Sequence, residues 1–270
     1  MKRYIINCND PQLRLGDKVA ICYIAQCLKK KKGYGVIHII DNYYVLDAEN
    51  KQWIARPDTF PIEKYFPDLC KDKLGNKTIH KHQASVPKGE YYPITPPNIW
   101  ITAPSMFKDT GFVPKMSVKT SEEFVTVHCL TDAPYNKARN MKKEQVDKLV
   151  SMLRKDGIPV KDIPQKDDGV SVEHIIDEYL CKSMLHIGGD SGFSHVISAL
   201  DKPIIAIYGD DAHDVLTYKP LKEQLKASSD WCSNPISNKL VAKFVMRDNE
   251  FDVDNVYMTV KAKYDELKNK

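Results

Sequence analysis

The sequence predicts an α/β protein of two domains, each built on a parallel sheet. Three observations predict it. Residues 183–209 read strand, glycine turn, short helix, strand. An apolar run from Ser183 to Ile187 meets Gly188-Gly189-Asp190-Ser191-Gly192, a helix leads into Asp201-Lys202-Pro203, and a second apolar run, Ile204 to Tyr208, ends at Gly209. Residues 4–40 follow the same plan: a short strand at Tyr4 to Ile6, a polar loop to Gly16-Asp17, a helix, and a strand from Val36 to Ile40. Strands and helices also alternate through the rest of the second half, and parallel strands require such crossovers.

Each element has a local cause. In the first helix Val19, Ala20, Tyr23, Ile24 and Leu28 recur at helical spacing, and Gly33 closes it. Residues 43–82 mix aromatics with charges (Tyr43, Tyr44, Trp53, Tyr65, Phe66), which suits short strands and irregular segments. Residues 87–104 are proline-rich, which excludes a long helix, and Ile99 to Thr102 is a candidate strand. The second domain opens with the β-branched strand Phe124 to His128. A helix from about Lys142 to Lys155 carries the stripe Val146, Leu149, Val150, Leu153 and ends at Gly157. Ile158 to Ile163 is a candidate strand. Val172 to Lys182 reads as a helix with Ile175, Ile176, Tyr179 and Leu180 on one side. After Gly209 the loop Asp210 to Thr217 leads to less regular sequence, and Val253 to Lys268 reads as a last helix. The predicted domains are residues 1–110 and 123–270, joined by a linker over 111–122.

Composition bounds the class. A chain of 270 residues holds two domains of about 120–150 residues each. Hydrophobic content of 42% with 28% charge describes a soluble globular protein. No apolar run nears the roughly 18 residues of a membrane span. The start, MKRYIINCND, lacks the apolar core of a secretion signal. A cytoplasmic location without stable membrane insertion is expected. Seven cysteines without a CxxC pair or Cys/His cluster point to reduced thiols, not a disulfide framework or metal site. The net charge of +4 is below the footprint of a dedicated nucleic-acid binder. Lys29 to Lys32 and Lys142-Lys143 read either as solvated helix faces or as contacts to an anionic partner.

A glycine turn between a strand and a helix presents free N–H groups and the positive end of the helix dipole, which suits a phosphate. Here the turn is Gly189-Asp190-Ser191-Gly192. With His195, Ser198-Ala199 and Lys202-Pro203 it resembles the heptosyltransferase-like glycosyltransferases of family nine, which have the GT-B fold. The opening strand, the loop with Gly16-Asp17, and the following helix and strand are similar to the start of that family. The resemblance implies two Rossmann-like domains facing across a cleft, with the last helix packing back on the first domain. It implies a nucleotide-sugar donor on the second domain and an acceptor on the first.

By resemblance Asp17 is the catalytic base; the alternative is an N-cap, for which Asp is well suited. Ser191 and Gly192 supply donors to the leaving diphosphate. Asp190 binds the donor or fixes its loop. His195 bonds the phosphate or holds the turn. Thr131, with Lys137 or Arg139, occupies the place of the family's hydroxyl and cation, although Arg139 and Met141 depart from the family's Lys and Trp. His128, His174, His186, His213 and the His80/His82 pair are expected to be structural or surface residues. Only Ile158 to Ser171 stands where the family has a further strand-helix unit, so nucleoside recognition does not carry over. The implied activity is inverting sugar transfer, with no metal and no cofactor beyond the nucleotide sugar as co-substrate. The acceptor is a surface-glycan sugar or a hydroxymethylated base in phage DNA. The alternatives are a sugar-nucleotide hydrolase or epimerase, and a non-catalytic binding protein of the same fold.

Overall fold

The structure, a computed structural model, describes residues 2–7, 15–30, 34–41, 44–47, 52–55, 60–80, 83–92, 116–129, 140–164, 168–189, 191–209 and 240–270. The chain divides into two units, Met1–Val118 with Ser171–Glu173, and Lys119–Val170 with His174–Lys270.

The first unit begins with β1 (Lys2–Asn7), α1 (Leu15–Lys30) and β2 (Tyr34–Ile40). A hairpin, β3 (Tyr44–Asp47) and β4 (Gln52–Ala55), pairs antiparallel. The short helix α2 (Ile62–Tyr65) and the two-residue strands β5 (Ile79–His80) and β6 (Glu90–Tyr91) follow. The sheet order is β5-β2-β1-β6, and every pair is parallel. The strand order therefore reverses between β1 and β6, which makes the carboxyl end of β1 a topological switch point.

The helical periodicity of α1 understates its burial. Every residue from Lys18 to Leu28 is buried, not only the predicted stripe. The reason is visible in the sequence, because no charge falls between Val19 and Leu28, and a helix apolar all round is an interior helix. Tyr65 and Phe66, in the stretch hardest to read, prove to be core. Phe60 stacks on Tyr65 at 5.2 Å, Tyr23 meets Phe66 edge-on at 6.0 Å, and all four rings are fully buried. Such offset and edge-on pairs are the favoured aromatic geometries.

The second half contains β7 (Phe124–His128), α3 (Lys143–Lys155), β8 (Val160–Asp162), α4 (Val172–Ile175), β9 (Ser183–Gly188), α5 (Gly192–Ala199), β10 (Ile204–Gly209), β11 (Leu240–Met246) and α6 (Val253–Lys268). The five strands pair in parallel in the order β11-β10-β9-β7-β8. This order also reverses once, between β7 and β9.

Two expectations are corrected. The helix predicted over Val172 to Lys182 is α-helical only to Ile175. Ile176–Leu180 form one π-helical turn, closed by the Cys181 N–H on Ile176 O, five residues back. Strand β11, unforeseen in the sequence, lies at the sheet edge with a mostly half-exposed pattern, so its residues lack the apolar run of a central strand. The apolar face of the last helix, Val253, Val256, Val260 and Tyr264, joins the core of the second unit with Leu149, Val150 and Leu153 of α3. The period of these stripes is set locally, but the partner is chosen by whichever apolar face remains to be covered.

No helix among the described residues is long and apolar enough to cross a membrane.

Candidate functional site

Parallel α/β sheets bind ligands beyond the carboxyl ends of their strands, where the strand order reverses. In the second unit that place lies between β7 and β9. His128 ends β7 opposite Gly188, which ends β9, and Thr126 stands opposite His186. Both strands are wholly buried, yet they carry Thr126, His128, Ser183 and His186. Buried polar groups must find partners. Positions 126 and 128 on β7, and 186 and 188 on β9, share one face of the sheet.

The partners form a directed chain. The Ser183 hydroxyl donates to Leu185 O at 2.8 Å, so its oxygen is left to accept from Thr126, 2.9 Å away. Thr126 then accepts from His186 Nδ1 at 3.0 Å. With one hydrogen per hydroxyl, this order places the His186 proton on Nδ1. Its Nε2 keeps a bare lone pair, buried and without a donor among the described residues. Burial, with a smaller contribution from His128, holds the His186 pKa down at about 3.

That nitrogen is accommodated because residue 188 has no side chain. A Cβ on Gly188 would stand 2.5 Å from His186 Nε2 and 3.2 Å from Ser194 Oγ. The ring is anchored through Thr126 and cannot swing aside freely. Gly188→Ala is therefore expected to cost about 1–3 kcal/mol of stability in urea denaturation. Adding His186→Ala should make the pair less destabilising than the sum of the two. An alanine at 188 as stable as glycine would show that the ring gives way at no cost.

Above this layer lies the predicted phosphate turn. Ser191 is extended (φ −143°, ψ 162°) and N-caps α5, its oxygen accepting from the Ser194 N–H at 3.4 Å. Ser194 in turn donates its hydroxyl to Gly189 O at 2.6 Å. His128 Nδ1 stands 3.3 Å from Ser191 Oγ, and its ring meets Phe193 edge-on at 5.0 Å. Burial holds His128 at about 4, so the ring is neutral at physiological pH. His128, expected from the sequence to be structural or at the surface, is buried and reaches the turn serine. His186 is structural, as expected, and wholly interior. A polar residue closing a mostly apolar strand was the signal available for His128.

Among the other predicted site residues, Gly189 is buried, Gly192 opens α5, and His195 is 3% exposed, its N–H closing on Ser191 O at 3.4 Å. Thr131, Lys137, Arg139 and Asp190 lie outside the described residues, as do His82 and His213. Lys202, of the Lys202-Pro203 pair, is 3% exposed and donates to the Ser183 and Ser121 carbonyls. It ties the start of β9 to the segment before β7, and burial lowers its pKa.

In the first unit, Gly16 is buried and Asp17 half-buried in the first turn of α1, which follows β1 at the other switch point. Helix α1 already includes Leu15 and Gly16, so Asp17 lies past the N-cap position considered for it. A carboxylate there is favoured by the helix dipole. Beside it Lys18 Nζ is 3.2 Å from Asp41 Oδ1, a buried ion pair that joins α1 to the end of β2. His38 Nδ1 lies 3.0 Å from His80 Nε2 across the sheet, and His80 Nδ1 lies 3.4 Å from Ser85 Oγ. Both rings have lowered pKa values, in each case chiefly through burial.

Comparison with known proteins bears on both units. The family model described as glycosyltransferase family 9 (heptosyltransferase) matches residues 176–243, a span containing β9, the turn, α5 and β10. The solved structure of E. coli ADP-heptose LPS heptosyltransferase II is similar, with a TM-score of 0.55 and 13% identity, over 97% of this chain and 98% of that one. E. coli heptosyltransferase WaaC with ADP is also similar, with a TM-score of 0.48 and 14% identity, over 98% and 99% of the two chains. No curated protein sequence matches the chain. In fold along its length, an α/β GT-B type with two parallel sheets, and in sequence across residues 176–243, the chain resembles the heptosyltransferase-like glycosyltransferases of family nine.

Proposed function

We propose that the protein is an inverting glycosyltransferase that moves a sugar from a nucleotide-sugar donor to an acceptor hydroxyl. Asp17 takes the acceptor proton as the oxygen attacks the anomeric carbon and the bond to the diphosphate breaks. The Gly192 and Ser191 N–H groups and the Ser191 hydroxyl bind the leaving diphosphate, with Thr131, Lys137 or Arg139 adding donors and charge. Gly16 and Gly189 let the two turns approach their ligands closely. In this reading the helix terminus and these cations neutralise the leaving group, so no metal is required, and the reaction takes place in the cytoplasm.

What carries the reading is the phosphate turn. It is capped by Ser191, it ends the strand at the β7/β9 switch point, and it falls inside the family match. The test is a thermal-shift screen against nucleoside diphosphates and nucleotide sugars. A ligand that binds only the native state stabilises it by about 2.7 kcal/mol at a hundredfold excess over Kd. A rise with one base class is expected, and Ser191→Ala should weaken that ligand about tenfold, the value of a hydrogen bond to a charged group. No rise across the panel would sink the donor reading and favour a non-catalytic binding protein. Release of free sugar without acceptor would make the enzyme a hydrolase. Salt-sensitive binding to duplex DNA would select modified DNA over a glycan as the acceptor.

A further inference from the structure

We propose that His128 is a positioning residue for the phosphate turn: it carries its proton on Nδ1, donates it to the Ser191 oxygen, and so leaves the Ser191 hydroxyl hydrogen for the bound anion. The proposal rests on the donor-site reading above.

It follows from counting hydrogens. The Ser191 hydroxyl has one hydrogen and two lone pairs. One lone pair is taken by the Ser194 N–H. The Ser194 hydroxyl hydrogen is committed to Gly189 O at 2.6 Å. The next polar neighbour is His128 Nδ1 at 3.3 Å. A neutral imidazole has one N–H, so Nδ1 either accepts or donates. If Nδ1 is bare, it takes the Ser191 hydrogen, the hydroxyl turns toward the sheet, and nothing is left to give a phosphate oxygen. If Nδ1 bears the hydrogen, the second lone pair of Ser191 is filled. The Ser191 hydrogen then has one competing acceptor among the described residues, Ser194 Oγ at 3.4 Å, the outer limit of a hydrogen bond. A phosphate oxygen at ordinary distance outcompetes it.

Two features hold His128 to this task. Its ring is 8% exposed and braced edge-on by Phe193. Its backbone sits opposite Gly188 at the end of the central strands, so it moves with the sheet. Serine alone supplies a hydroxyl at the turn, and the histidine decides which way that hydroxyl faces.

The experiment combines nitrogen NMR of the histidine rings with binding of inorganic pyrophosphate and the nucleoside diphosphates. In the unliganded protein His128 should show a protonated Nδ1 and a bare Nε2; the reverse tautomer overturns the proposal. His128→Asn keeps an N–H near Nδ1 and should bind pyrophosphate within about threefold of the unaltered protein, while His128→Leu should bind about tenfold more weakly. In the Ser191→Ala background, His128→Leu should cost nothing further, because the histidine acts through that hydroxyl. Equal binding by His128→Leu, or a further loss without Ser191, overturns the proposal and leaves the donor site standing. If the unaltered protein binds neither pyrophosphate nor any nucleoside diphosphate, the donor-site reading fails and takes this proposal with it. The tautomer measurement needs no variant, so a misfolded substitution does not blunt the test.

Discussion

Asp17→Asn is expected to lower kcat for sugar transfer by about 10²–10⁴-fold, with the Kd for the nucleoside diphosphate within about twofold of the unaltered protein. A base acts in the chemical step, so its loss falls on kcat. Asparagine preserves the shape of the side chain while removing its charge and its basicity. Asp17 is half-buried in the first turn of α1, where the helix dipole favours a negative charge by about 0.3–1 kcal/mol. A small fall in melting temperature beside a large fall in kcat would therefore separate chemistry from folding. The neighbouring Lys18–Asp41 ion pair is buried, so Lys18→Met is the contrasting variant: it takes the cation from a buried carboxylate and is a stability change first. An Asp17→Asn enzyme with full turnover would remove Asp17 from catalysis.

The second large effect is on acid stability. His128 and His186 titrate near 4 and 3 in the folded chain, both chiefly because burial disfavours the charged ring, against 6.5 when exposed. The folded pKa values are depressed, so the stability they contribute is fully present above pH 6.5. It is lost as pH falls from there toward the folded values, because the unfolded chain takes up protons that the native state refuses. At 1.36 kcal/mol per pH unit for each ring, the pair removes about 4 kcal/mol between pH 8 and pH 5. That is a large part of the 5–15 kcal/mol typical of a domain. His38 and His80, also lowered, act in the same direction. Urea denaturation at pH 8, 6.5 and 5 measures this, and His186→Asn should flatten the slope by about one proton. Equal stability at pH 8 and pH 5 would mean that neither ring is buried neutral.

The local elements were largely legible. Strand and helix periods, the glycine turn before the short helix and the Gly157 stop are written within a few neighbouring residues. The Val253–Lys268 helix was readable residue for residue. The failures share a cause. The edge strand β11 and the π turn over Ile176–Leu180 depend on neighbours far along the chain. Local propensity carries no record of them.

The candidate site divides the same way. The sequence by itself determined the strand, glycine turn and short helix over residues 183–199, because a glycine pair between two apolar segments breaks the strand and lets a helix start through local steric rules. It also determined that a helix carrying Asp17 near its start follows the first strand. Only the tertiary structure decided that β7 lies beside β9. That pairing places His128 against a serine 63 positions away and seals His186 beneath a glycine. Strand order is chosen by global burial, and burial in turn sets the charge of both rings. The physical reason is that desolvation and hydrogen-bond partnership belong to the folded environment of a side chain, not to its place in the sequence.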